Sequence, residues 1–112
     1  MTRYCLACDL KDQSELIEKY KEYHSSAKVW PEITKSIKDG GITDMQIFLT
    51  GNRIFMIMET DDAVFSFEKK AVMDSENNKV QEWESLMETF QQRLPWAKEA
   101  KWVLMEKIFQ LE

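Results

Sequence analysis

Histidine is almost missing from this chain: 112 residues contain one, His24. Cysteine is nearly as scarce, with only Cys5 and Cys8. Together these scarcities argue against a structural zinc centre, which needs four suitably spaced ligands that a lone Cys-x-x-Cys and one histidine do not supply. The two cysteines fall in a stretch that reads as a strand, where residues three apart point to opposite faces. They read as buried, reduced thiols rather than a disulfide, which suits a cytoplasmic protein. Positive charge is outweighed, with 15 Lys and Arg against 20 Asp and Glu and a net charge of −5. That balance argues against a nucleic-acid partner, which would need a basic face to neutralise phosphates. Apolar runs are short of the ~20 residues a membrane helix requires, so no membrane partner is expected. The run between Arg3 and Asp9 lacks the cleavage pattern of a secretion signal. No nucleophile elbow, phosphate loop or paired-carboxylate motif is visible. Covalent and cofactor chemistry therefore have no support, and neither metal nor cofactor is expected.

What is present is ample core material. Hydrophobic residues make up 44% of the chain, with four Trp, three Tyr and six Phe, enough for one domain over residues 1–112. Tyr4–Leu10 alternates as a strand. Asp12 followed by Glu15 resembles a capping box ahead of a helical stripe of Leu16, Ile17, Tyr20, Tyr23 and His24. Pro31 suits the first turn of a second helix, stopped by Gly40-Gly41. Ile42–Leu49 and Arg53–Glu59, joined through Thr50-Gly51-Asn52, read as a hairpin whose second arm lies inside a sheet. Asp61 or Asp62 can cap a helix bearing Val64, Phe67 and Ala71, and 73–79 reads as a loop. Val80, Trp83, Met87, Phe90 and Leu94 form the longest helical stripe. Trp102–Leu111 reads as a last strand. The order β-α-α-β-β-α-α-β, with the short second and third helices as insertions, predicts a ferredoxin-like α+β fold: a four-stranded antiparallel sheet with helices on one face. The uncovered face predicts a homodimer resembling a dimeric α/β barrel.

One pair of residues stands out chemically. Tyr20 and His24 are four apart and share a helix face with Leu16 and Ile17. A phenol beside an imidazole on an apolar face is either a satisfied core pair or the floor of a pocket. His24 is the one side chain whose ordinary pKa, ~6.5, allows proton transfer near neutrality. Trp83 is either a core residue or a flat wall for the C–H face of a sugar ring. Glu84 next to it points about a quarter turn away. Asp44 and Gln46 share one face of their strand, as solvent-side residues or as hydroxyl ligands.

In order along the chain, Tyr20-x-x-x-His24, Trp30-Pro31-Glu32, Gly41-Ile-x-Asp-Met45, Gly51 to Glu59, Gln81-Glu82-Trp83-Glu84 and Trp102 to Phe109 resemble the L-rhamnose mutarotase family, and most closely the branch assigned to L-fucose. The resemblance covers nearly the whole chain. It implies a dimeric ferredoxin-like fold and interconversion of the α and β anomers of a 6-deoxy hexose, with no metal or cofactor. It implies that His24 is the catalytic proton donor, that Tyr20 binds the sugar, and that Trp83 is the first of a pair of binding tryptophans. The second of that pair is Glu84 here, and Met45 stands where the rhamnose enzymes carry a sugar-binding tyrosine. Glu84, Met45 and Asp44 are thus candidate substrate contacts that bear on which sugar is preferred. Glu84, Asp44 or a water are candidates for the complementary base. Two other readings are a non-catalytic dimeric module binding a small ligand, and a haem-handling relative with His24 as axial ligand.

Overall fold

Tyr4, Leu6, Cys8 and Leu10 carry the apolar face of β1 (Thr2–Leu10), the strand around which the chain is assembled. The computed structural model describes residues 1–112. In it, β1 pairs antiparallel with β3 (Arg53–Thr60), and β3 pairs antiparallel with β2 (Ile42–Thr50). The hairpin turn sits at Gly51, whose φ of 57° favours a residue without Cβ. As its apolar pattern predicts, β3 is an interior strand.

Helix α1 (Ser14–Tyr23) ends at His24. Its start corrects the capping-box reading: the residue before the helix is Gln13, and no side chain caps it. Asp12 lies too early because the chain is still tied to the sheet at Lys11, whose N–H donates to the Phe90 carbonyl at 2.9 Å. Helix α2 (Pro31–Asp39) has proline in its first turn and stops at Gly40. Gly41 then takes φ 92°. A Cβ at Gly41 would also come within 2.8 Å of the Phe65 backbone nitrogen.

The middle of the chain departs most from the sequence reading. Neither Asp61 nor Asp62 caps a helix; the Asp61 carboxylate accepts from the Ala63 N–H in a turn at 3.0 Å. Helix α3 (Phe67–Glu76) begins instead at Ser66, whose hydroxyl accepts from the Lys69 N–H at 3.0 Å, leaving Val64 outside it. It also runs through much of the expected loop 73–79. Phe67 and Ala71 do lie in it, but no residue of α3 is fully buried, so apolar spacing does not mark where it starts or ends. Asn77 breaks the chain between helices and caps α4 (Asn78–Glu88), accepting from the N–H groups of Lys79 and Val80. Helix α4 is shorter than the stripe suggests. Phe90 and Leu94 are buried, but the chain has left the helix so that Gln91 can pair with Leu10 of β1.

The last strand is corrected as well. The edge of β1 opposite β3 is filled by two pieces, β4 (Gln91–Gln92) and β5 (Val103–Leu104). Their registers, Gln92 with Asp9 and Val103 with Ala7, make them one antiparallel strand interrupted by residues 93–102. Pairing ends once Met105 N–H has donated to the Cys5 carbonyl at 2.8 Å. Beyond it, Ile108, Phe109 and Leu111 are 88%, 74% and 78% exposed. Holding them as a strand would order residues that no surface of this chain receives.

The sheet order β2-β3-β1, completed by β4 and β5, and the packing of helices on one face are ferredoxin-like. The helix-facing side carries two buried clusters, one built on Cys8, Leu10, Tyr20, Ile54, Trp83 and Met87, the other on Leu6, Ile42, Met58 and Phe65. The space lined by members of both holds the site.

Candidate functional site

A cavity of about 650 Å³ lies between sheet and helices, within the usual range for small-ligand sites. Leu6, Met56 and Met58 line it from the sheet, Tyr20 and His24 from the end of α1, and Trp83 and Glu84 from α4. The two residues four apart on α1 do meet there: the rings of Tyr20 and His24 lie 4.3 Å apart between centroids. Trp83 stands edge-on to His24 at 5.5 Å and to Trp30 at 5.1 Å. The imidazole is thus clamped between a phenol and an indole.

Hydrogen bonding fixes its tautomer. His24 Nδ1 lies 2.7 Å from the backbone oxygen of Tyr20. A carbonyl can only accept, so Nδ1 carries the hydrogen and donates it, and Nε2 holds the free lone pair. Burial pushes the His24 pKa below its ordinary value, and the carbonyl bond only partly offsets this. The resting ring is therefore mainly neutral near pH 7, with its basic nitrogen available. Tyr20 is 4% exposed, and its hydroxyl accepts from Gln91 Nε2 at 3.3 Å. Burial raises its pKa to about 12 despite that bond. The phenol therefore keeps its proton near neutrality and has it free to donate, since its one bond is accepted from Gln91.

The other sequence candidates divide. Met45 lines the cavity. Glu84 lines it too but is solvent-exposed, its carboxylate accepting from Gln81 Nε2 at 3.3 Å. Asp44 does not line this cavity; it sits exposed in an adjoining hollow of about 410 Å³ to which His24 and Met45 also contribute. Trp83 is 8% exposed, so most of its surface is core and little of it can face a ligand.

Sequence reasoning missed several lining groups. Gln91 belongs to β4, where the apolar spacing predicts helix. Trp102 and Lys101 come from the interrupted segment before β5. In the cavity wall Lys70 of α3 donates to Ser36 of α2 and pairs with Asp74. Spacing of i,i+4 was available for Lys70 and Asp74, but on a helix with no apolar stripe it reads as a solvated surface pair.

A ferredoxin-like α+β frame thus holds one neutral imidazole in a largely apolar, aromatic cavity of small-ligand size, an arrangement able to move a proton on a bound small molecule. The family model described as L-rhamnose mutarotase matches residues 3–111. An L-fucose mutarotase of Xanthomonas campestris pv. campestris is 37% identical over 112 residues, covering 99% of this chain and 89% of that protein. A Dictyostelium discoideum protein of the UPF0734 group is 38% identical over 94 residues, covering 81% of this chain and 71% of that one. The crystal structure of an L-rhamnose mutarotase from Formosa agariphila superposes with a TM-score of 0.71 at 22% identity, over all of both chains. That last likeness speaks for the fold. The chain belongs to the L-rhamnose mutarotase family and is a carbohydrate isomerase that interconverts sugar anomers. Membership of an isomerase family decides between the enzyme and the binding-module readings.

Proposed function

We propose that this protein equilibrates the α and β pyranoses of a 6-deoxy hexose, L-fucose in first place, with His24 as the proton carrier. Ring opening must take the proton from the anomeric hydroxyl and deliver it to the ring oxygen while the bond from the anomeric carbon to that oxygen breaks. Both oxygens sit on one carbon, within reach of one nitrogen. Neutral His24 accepts the hydroxyl proton at Nε2. As imidazolium it gives that proton to the ring oxygen, the aldehyde rotates, and the reverse sequence closes the other anomer. No proton is gained or lost overall. The observation that carries this reading is the Nδ1 bond to the Tyr20 carbonyl, which leaves Nε2 as the working atom.

In this reading Tyr20, with its phenol proton retained, donates to a sugar oxygen, and Gln91 holds it in place. Trp102 flanks the ring, and Trp83 adds only the small part of its surface that is not core. Trp102, half-buried and lining the cavity, has more surface to offer than Trp83. Met45 and Glu84 bound the site where the rhamnose pattern would place aromatics. L-fucose is favoured by these two departures together with the name of the Xanthomonas relative. The test is two-dimensional exchange NMR on L-fucose and L-rhamnose. Anomer exchange faster than in buffer, and faster for L-fucose, is the expected result; a rate equal to buffer for both sugars defeats the assignment.

We also propose that the protein is a homodimer, with one domain per chain, in the cytoplasm. On the sheet face away from the helices, Phe48, Phe55 and Ala7 are cross-strand neighbours, as are Gln46, Ile57 and Cys5. Phe48 is 53% exposed. The Arg3–Glu59 and Arg53–Asp9 ion pairs flank this apolar band. A two-fold partner would cover it, and would also give the apolar C-terminal tail a surface. Light scattering after size exclusion is expected to give twice the chain mass of 13.3 kDa. Removing residues 106–112 is expected to shift the balance toward monomer. A monomeric full-length chain at micromolar concentration would overturn the assembly. The cytoplasmic placement rests on two free cysteines, of which Cys8 is wholly buried and has its thiol pKa pushed up to about 11 by burial.

A further inference from the structure

The cavity wall formed by α2 and α3 carries a second set of polar groups that the proton transfer does not use. Lys70 Nζ lies 3.3 Å from Ser36 Oγ and forms an ion pair with the Asp74 carboxylate one turn along α3. The two side chains are 15% and 21% exposed. Apolar residues Ile37, Phe65 and Phe67 line the same cavity. Both charges are thus partly shielded from water and set against each other.

The position of the ammonium is prepared by the backbone. Gly40 has φ −77°, a conformation open to any residue. A Cβ there would lie 2.5 Å from Lys70 Cδ and 3.0 Å from Cε. The absent side chain makes room for the lysine stem rather than for a turn. The far side is also tied down: Gln81 Nε2 donates to the Asp74 carbonyl at 2.8 Å and to Glu84 at 3.3 Å. That links the end of α3 to the turn of α4 that carries Trp83.

The group is incompletely satisfied in a specific way. An ammonium has three donors, and Lys70 uses two, one on Ser36 and one on Asp74. The bond to Asp74 engages Oδ1, leaving Oδ2 without a protein donor. One spare donor therefore sits next to one spare acceptor at the cavity wall. Two neighbouring hydroxyls complement that arrangement, one accepting from Lys70 and the other donating to Asp74. An ion pair of this kind contributes little to folding, since apolar replacements of a buried pair are often neutral.

We propose that Lys70 and Asp74 bind a vicinal diol of the sugar and set which 6-deoxy hexose the enzyme accepts. The inference rests on the mutarotase reading of the cavity. L-Fucose and L-rhamnose differ in configuration at C2 and C4, so their cis diols lie at C3–C4 and C2–C3. A fixed donor–acceptor pair that engages one of these leaves the other sugar with a hydroxyl misplaced.

The test compares wild type, Lys70→Met/Asp74→Leu, and Gly40→Ala. The double change removes both charges together, so neither is left buried alone. Gly40→Ala keeps both groups but displaces the lysine stem. Exchange NMR gives kcat and KM on each sugar, quenching of tryptophan fluorescence gives Kd, and thermal denaturation checks the fold. The double variant is expected to melt near wild type, to bind the preferred sugar about tenfold or more weaker, as loss of charged hydrogen bonds implies, and to lose its preference between the sugars. The loss should fall on KM rather than kcat. Gly40→Ala should move the same quantities in the same direction, by less. Unchanged Kd, KM and preference in a folded double variant would overturn the proposal. If wild type exchanges neither sugar, the mutarotase reading fails alone and the fluorescence titration still decides. Weaker sugar binding in the double variant would then uphold the pair, and no sugar binding by wild type would reject it.

Discussion

Replacing His24 with alanine is expected to lower kcat for anomer exchange by ~10²–10⁴-fold, the usual worth of a positioned acid–base group. The ring is half-buried at the end of α1, so its removal should leave the fold intact and KM little changed. The pH profile is the sharper readout. His24 must start neutral to accept the hydroxyl proton. As pH falls through its pKa, which burial has lowered, Nε2 takes a proton from water and can no longer take the sugar's. Activity should therefore fall on the acid side, with a midpoint below the ordinary ~6.5, and stay level from there through pH 8. The alanine variant should lose that acid limb along with the rate. Activity that instead declines as pH rises from 5 to 7 would mean that imidazolium is the resting form, and the proposed order of proton transfers would be wrong.

Trp83→Ala is expected to destabilise the protein by ~3–5 kcal/mol, the range for removing a buried aromatic, measured as a lowered midpoint in urea. Against the ~5–15 kcal/mol by which domains of this kind are stable, that is enough to unfold a large share of the molecules on mild warming. The cause is visible in its neighbours: Trp83 is 8% exposed and meets Tyr23, His24 and Trp30 edge to face. Lost activity in this variant would thus report loss of the site's frame before it reported loss of a sugar contact. Trp83→Phe, which keeps an aromatic edge against His24, should retain most of the stability. Trp102→Ala separates the roles, because Trp102 is less buried and also lines the cavity. A Trp83→Ala variant as stable as wild type would show that the indole belongs to the ligand rather than to the core.

The contrast between these residues marks how far the sequence could be read. β1, the hairpin, α1 and α2 were legible because each buries one face and so repeats its apolar residues at a fixed period. Tyr20 and His24 were legible for the same reason, being polar groups on such a face. Helix α3 was legible as a helix at Phe67 and Ala71 but not in its bounds: none of its residues is fully buried, so no apolar period marks its ends, and its cap at Ser66 follows two aspartates with stronger claims. The end of α4 was misread because Phe90 and Leu94 continue the spacing of the helix while belonging to the sheet edge and the segment beyond it. Pairing with β1 is a long-range preference that local spacing does not encode. Lys70, Asp74, Ser36 and Gln91 share this difficulty, since each becomes part of the site only when distant elements are brought together.

The break in the edge strand has a consequence for how such an enzyme changes its diet. Gln92 leaves the sheet opposite Asp9, and Val103 rejoins it opposite Ala7. The residues between are spliced in without shifting the alignment of anything on either side. They deliver Lys101 and Trp102 to the wall of the cavity, whereas the imidazole stands at the end of a separate helix. Lengthening, trimming or transplanting that insert would remodel this part of the wall while leaving the reactive nitrogen where it is, so appetite and chemistry can evolve one at a time.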